Sequence, residues 1–318
     1  MESNREHTSE WALAHDITAT CFRMQMASSL LLGGQSAAVG EMSQWLNRML
    51  SLGTFTGEAA NEFGISFTIN QGQLTWLVSG NPDSMIPQLS EYLIEVGTSE
   101  SELERISAAE EKIKPARLGV WISRTEETTN TGWYFPVNIP LSQALAGVEV
   151  SQAKQQLTSW ASRHKLETCS GLGRSIGVGN PYTELWLPLP GDQIEQQLFL
   201  ALEGFSALGV PSLPDQALVA ILKSSQVGLV LSVWLSATGV VKIGLLVPNP
   251  GTRLMLQLWR TAGINQYEVF AAFEGALGVD SPAYVECQFL SKGFGVELHY
   301  ILDLPTIKSI SRSTCSSR

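Results

Sequence analysis

Cysteine, histidine and clustered positive charge are all scarce in this 318-residue chain. Four cysteines (Cys21, Cys169, Cys287, Cys315) lie far apart without a CxxC pair, which leaves no support for a zinc ribbon or a disulfide framework. The histidines, His7, His15, His164 and His299, show no HxxxH spacing, so no histidine-held metal is expected. Twenty basic residues stand against thirty acidic ones, a net charge of −10, and no basic stripe opposes that field. Nucleic acid is therefore not an expected partner. The longest apolar stretch, 227–248, is broken by Ser232, Ser236, Thr238, Gly239 and Lys242 and cannot cross a bilayer as one helix. The first residues lack the basic start and apolar run of a secretory signal, and a cytoplasmic location is expected. GxSxG, P-loop and HExxH motifs are missing. The glycines of GLGRSIGVG are not flanked by strand and helix as a dinucleotide fingerprint requires.

What is present is a composition that folds, 44% hydrophobic and 16% charged, punctuated by 28 glycines and 14 prolines. Pro82, Pro140, Pro190, Pro250 and Pro305 recur every 50–60 residues. Each closes a unit of two alternating segments followed by helical sequence. The hairpins are GISFTINQ with QLTWLVS, ARLGVWISR with GWYFPVNIP, RSIGVG with TELWLPLPG, QVGLVLSVWLS with VVKIGLLVPNPG, and AYVECQFL with GVELHYILDLP. Asp83 and Asp192 are candidate helix caps. Ten antiparallel strands with helices on one face must curl or close, and closure removes the exposed edges. The expected fold is α+β: one domain over residues 1–318, a closed ten-stranded antiparallel barrel surrounded by helices in five αββα repeats. Residues 307–318 are expected to be a flexible tail.

Strand side chains alternate between two faces. One face is aliphatic: Ile65, Phe67 and Ile69; Leu118, Val120 and Ile122; Leu185, Leu187 and Leu189; Leu229, Leu231, Val233 and Leu235; Val241, Ile243, Leu245 and Val247. The other carries Ser66, Thr68, Asn70, Arg117, Trp121, Ser123, Tyr134, Asn138, Glu184, Trp186, Ser232, Trp234, Val240, Lys242 and Gly244. In the last strand Val296, Leu298 and Tyr300 read as helix-facing and Glu297 and His299 as inward, though a one-residue slip would exchange them. An open sheet layered on helices would alternate too. A solvated face is usually rich in Lys and Glu, whereas indoles with sparse polar groups suit an enclosed ligand site.

The element order, with the strings SFTIN, ELWL, LSVWLSATGVVKIGLLVPNP and LHYILD, resembles the soluble aromatic prenyltransferases with the αββα barrel, also called the PT-barrel. The resemblance covers most of the chain. It implies transfer of an isoprenoid from an allylic diphosphate to an indole- or phenol-like small molecule by electrophilic aromatic substitution. Lys242 matches a strand position where that family places a cationic diphosphate ligand, and Arg117 would assist. Trp186 and Trp234 match chamber-facing aromatic positions, with Trp121 and Tyr134 sharing their parity, as a shield for an allylic cation. Glu184 and His299 are the candidate catalytic bases, and Thr68 and Asn70 are candidate substrate contacts. No cofactor is required, although Mg2+ can accompany a diphosphate. A monomer or homodimer, with neither nucleic acid nor membrane as partner, completes the expectation.

Two departures from the family stand out. Ser66 occupies the place in SFTIN where an acidic residue is common, and Gly132-Trp133 replaces an expected lysine. The alternative is a noncatalytic barrel that holds a small hydrophobic ligand. A third reading, an assembly protein whose repeat is only architectural, would require a filled lumen.

Overall fold

The structure, a computed structural model, describes residues 3–31, 36–51, 62–68, 72–95, 100–125, 128–176, 181–264, 267–290 and 293–303. Helices α1 (Ser3–Leu31) and α2 (Ser36–Ser51) precede the first hairpin, β1 (Glu62–Thr68) with β2 (Gln73–Gly80). Helices α3 (Pro82–Glu95) and α4 (Glu100–Ile113) lead to β3 (Leu118–Arg124) and β4 (Thr129–Pro140). Next come α5 (Leu141–Ala146), α6 (Gln152–Arg163), β5 (Thr168–Ile176) and β6 (Tyr182–Pro188). The fourth unit is α7 (Ile194–Ala207), α8 (Asp215–Ser224), β7 (Val230–Ser236) and β8 (Gly239–Pro248). The last is α9 (Thr252–Thr261), α10 (Tyr267–Leu277), β9 (Tyr284–Leu290) and β10 (Gly293–Asp303).

Every strand pairs antiparallel with its sequence neighbours, and β1 also pairs with β10, from Glu62 opposite Asp303 to Thr68 opposite Glu297. The sheet is thus a closed ten-stranded barrel without a free edge. Its outer face is the core. Ile65, Trp76, Val120, Leu185, Val233, Ile243, Val285 and Leu298 are buried there with the apolar faces of the helices. Val296, Leu298 and Tyr300 do face the helices, and the Tyr300 hydroxyl donates to Glu274 on α10 at 3.0 Å. Trp76 donates its indole N–H to Ser28 on α1 at 3.0 Å, which ties the N-terminal helix to β2. Buried Gln197 on α7 donates to the carbonyls of Leu189 and Gly191 and accepts from the amides of Gly228 and Leu229. One amide thereby ties the loop leaving β6 to the loop entering β7.

The structure corrects several local expectations. A β-bulge between Trp234/Leu235 and Val240/Lys242 adds a residue to β8. Val240 therefore lies opposite Leu235, against the outer core, and not in the lumen as strict alternation predicts. A second irregularity between Pro136 and Ile139 leaves Asn138 exposed. Asn81, not Asp83, caps α3, its side chain accepting from the Asp83 amide at 2.9 Å. Residue Gln193 occupies the cap position of α7 and makes no side-chain cap bond, so Asp192 has no capping role. Ser151, unremarked in the sequence, caps α6 by accepting from the Lys154 amide. Ile69, Asn70 and residues 307–318 lie outside the described residues.

Glycines shape the lumen wall where rings and carboxylates lie against backbone. A Cβ at Gly132 would collide with the Trp121 indole and with the carbonyl of Arg174, and one at Gly171 would stand 2.8 Å from the Tyr134 ring. Since Gly132 meets rigid backbone on one side, Gly132→Ala is expected to cost about 2 kcal/mol of stability, the range for overpacking. Urea unfolding measures this, and the same curve for Gly40→Ala, where a Cβ meets nothing within 4 Å, provides the control.

Candidate functional site

The lumen encloses a cavity of about 210 Å3 lined by polar and aromatic residues from most of the strands. An apolar cavity of roughly 150 Å3 already admits benzene. Space therefore exists for a small aromatic guest, and the filled lumen of a purely architectural barrel is not what this chain has. Ile301, an exposed residue of β10, forms part of the wall.

Aromatic side chains dominate one side. Tyr182 on β6 stacks on Trp234 of β7 with centroids 4.6 Å apart and planes 12° from parallel. Trp121 of β3 lies on its other side at 6.5 Å and 15°. Tyr134 and Trp186 form a second, tilted pair at 5.1 Å. All five rings line the cavity. Parity predicts four of them, and Tyr182 adds the central member. Its signal was the period-two run Tyr182, Glu184, Trp186.

The polar side is a buried charge cluster. Lys242 Nζ donates to Glu286 Oε2 at 2.8 Å and to Glu297 Oε2 at 3.0 Å, and it lies 4.2 Å from the Trp234 ring centroid. Ser66 donates to Glu297 Oε1 at 2.6 Å, and His299 Nε2 is 3.3 Å from Glu286 Oε2. The neighbouring Gly244 has no side chain because the Glu286 carboxylate occupies that space. Burial works against charge on Lys242, but Glu286 and Glu297 outweigh it and raise its pKa. For His299 burial lowers the pKa, and Glu297 together with the Glu286 hydrogen bond more than restores it, for a net rise. Burial likewise opposes ionisation of Glu297, and Lys242 and His299 reverse the effect, holding it below the ordinary carboxylate value.

Glu184 differs from the other carboxylates. Its Oε1 accepts from the Trp186 indole N–H at 2.6 Å, and among the described residues it forms no ion pair within 4.0 Å. Burial raises its pKa, with Lys242 and the Trp186 hydrogen bond acting in the opposite sense. It faces the cavity beside the ring stack.

The remaining candidates sit elsewhere. Arg117 precedes β3 and pairs with Glu62 at 2.9 Å, both partly exposed at the end of the barrel, so it does not join Lys242. Thr68 is buried and accepts a hydrogen bond from Gln288 at 3.3 Å; it does not line the cavity. Of the other arginines, Arg174 on β5, whose register the sequence leaves undecided, faces outward to Glu102 on α4 at 3.1 Å. Sequence reasoning missed Glu286, whose inward parity with Tyr284 and Gln288 in AYVECQFL was its only signal. Glu286, Glu297 and His299 bring ligand atoms within 4.8 Å of one another. The Lys242 ammonium already bridges the two carboxylates, so these residues do not fit Mg2+ as they stand.

The barrel fold recurs in solved structures. A 6-dimethylallyltryptophan synthase from Micromonospora olivasterospora, in complex with DMASPP and Trp, superposes with a TM-score of 0.63 at 13% identity, over 88% of this chain and 96% of that one. The fold is that of the aromatic prenyltransferases. A 5-dimethylallyltryptophan synthase from Streptomyces coelicolor gives 0.60 at 14% identity over 89% and 96% of the chains. AnaPT from Neosartorya fischeri gives 0.58 at 13% over 87% and 91%. No protein-family model matches this chain. In sequence it is 35% identical over 246 residues to a PH domain-containing protein of Dictyostelium discoideum, covering 76% of this chain and 54% of that protein. The chain thus spans about half the length of that curated relative. Among the described residues, no helix is long and apolar enough to cross a membrane.

Lys242→Met would strand two buried carboxylates and is expected to cost about 3–5 kcal/mol in chemical denaturation. Adding Glu286→Gln and Glu297→Gln should return most of that loss. His299 supplies a pH test. Because its folded pKa lies above 6.5, its contribution is complete below that pH and disappears as pH rises through the raised value. The Tm of the wild type should therefore fall over this interval relative to that of His299→Gln, in paired thermal melts.

Proposed function

We propose that this barrel is an aromatic prenyltransferase that seats an indole-sized acceptor against the Trp121, Tyr182 and Trp234 rings. The observation that carries the reading is the placement of that stack and cavity-facing Glu184 around a lumen void, in the fold shared with dimethylallyltryptophan synthases. In the reaction the allylic C–O bond breaks and its electron pair leaves with the diphosphate. Ring faces stabilise the resulting cation. A ring carbon of the acceptor supplies the π electrons for the new C–C bond, and loss of the proton from that carbon restores aromaticity. Glu184 is placed to receive the proton, being free of ion pairs among the described residues, whereas His299 is committed to Glu286. Lys242 can meet the leaving diphosphate only by giving up a carboxylate partner.

That last requirement favours a second reading, in which the same lumen binds an aromatic guest without chemistry. Both basic groups of the lumen among the described residues, Lys242 and His299, already have acidic partners. One assay separates the two. Purified protein is incubated with dimethylallyl, geranyl and farnesyl diphosphates and a panel of indoles and phenols, then examined for prenylated product and pyrophosphate. Prenylated product is expected. Saturable indole binding with no product under any donor, with or without Mg2+, would establish the noncatalytic reading instead. Trp234→Leu should weaken indole binding at least about fivefold by fluorescence or calorimetry, within the range of an aromatic contact.

A further inference from the structure

We infer that the aromatic guest of this lumen is a cation, a protonated arylalkylamine, whose ammonium group is received by Glu184. The inference rests on the aromatic-guest reading above and holds whether or not chemistry follows. Four carboxylates, Glu62, Glu184, Glu286 and Glu297, have the inward parity; Arg117 pairs with Glu62 at the barrel end, which leaves one ammonium and one imidazole for the other three. Lys242 is fully engaged: two of its hydrogen bonds go to Glu286 and Glu297, and its remaining side meets the Trp234 ring. His299 bonds to Glu286. Glu184 is left without an ion pair within 4.0 Å among the described residues: its 2.6 Å hydrogen bond comes from the neutral Trp186 indole, and Lys242 acts on it only from farther off.

A carboxylate held away from bulk water with no cation in contact is costly, and the cost falls when a ligand brings one within hydrogen-bond reach. The surrounding walls favour the same sign of charge. Trp121, Tyr134, Tyr182, Trp186 and Trp234 present ring faces and edges to the cavity, and ring faces attract ammonium groups. The protein already uses one of them that way, with Lys242 at 4.2 Å from the Trp234 centroid. An anionic side chain on the aromatic guest would instead be set beside Glu184, which lines the cavity with the ring stack.

The test is a charge series on one ring system, titrated calorimetrically into the full chain: tryptamine, the neutral indole-3-propionamide and the anionic indole-3-propionate. Tryptamine should bind at least about tenfold more tightly than the amide, and the propionate at least about tenfold more weakly, as expected for an ion pair in a desolvated site. Glu184→Gln keeps the acceptor for the Trp186 N–H and should melt no earlier than the wild type. It should abolish the preference for tryptamine while leaving affinity for the amide within about threefold. Equal affinity across the series, or a preference that survives Glu184→Gln, overturns the inference but leaves the aromatic-guest reading standing. Failure of all three indoles to bind overturns both.

Discussion

Pairing of β1 with β10 is the constraint on which everything else depends. Seven residue pairs, from Glu62 with Asp303 to Thr68 with Glu297, turn a meander of hairpins into a wall with two isolated sides. Only then does strand alternation acquire its meaning here. The outward set meets helices and excludes water, as Trp76, Leu298 and Tyr300 do. The inward set surrounds a partly open void, close enough together for its side chains to interact with one another. The same seam brings Ser66 of the first repeat to Glu297 of the last, so the two ends of the chain jointly build the polar half of the lumen.

Closure also explains why the charges come as a set. A single lysine inside a barrel would lose its proton or snorkel to an end. Lys242 does neither, because Glu286 and Glu297 on two successive strands converge on it and Gly244 leaves room for one of them. That arrangement spends the ammonium on structure. The aromatic half of the lumen is freer. Its rings are held by mutual stacking and by glycines beneath them, and only Glu184 among its acidic groups faces the cavity without a charged partner among the described residues.

Much of this was legible in the sequence, for identifiable reasons. Period-two alternation over long strands fixed the faces of Trp121, Tyr134, Glu184, Trp186, Trp234 and Lys242. Proline spacing exposed the repeat. Alternation failed at Val240 and Asn138, where an added residue or an irregular pairing interrupts the count, and neither bulge is written in any single residue type. Partners were harder still. Glu286 and Glu297 reach Lys242 across 44 and 55 residues, and pairing over such distances follows from strand order rather than local pattern. Arg117 had the inward parity but stood at the strand entrance, where Glu62 across the barrel end claims it.

The glycines of the lumen wall have a consequence for how such a chamber can change. At Gly132 and Gly171 the rings rest on bare backbone, so its breadth is decided by side chains that are missing. One methyl group there narrows the room, while widening it demands the loss of an indole or a phenol. Divergence toward smaller guests is therefore open to many single steps, and divergence toward larger ones must dismantle the surface that recognises them.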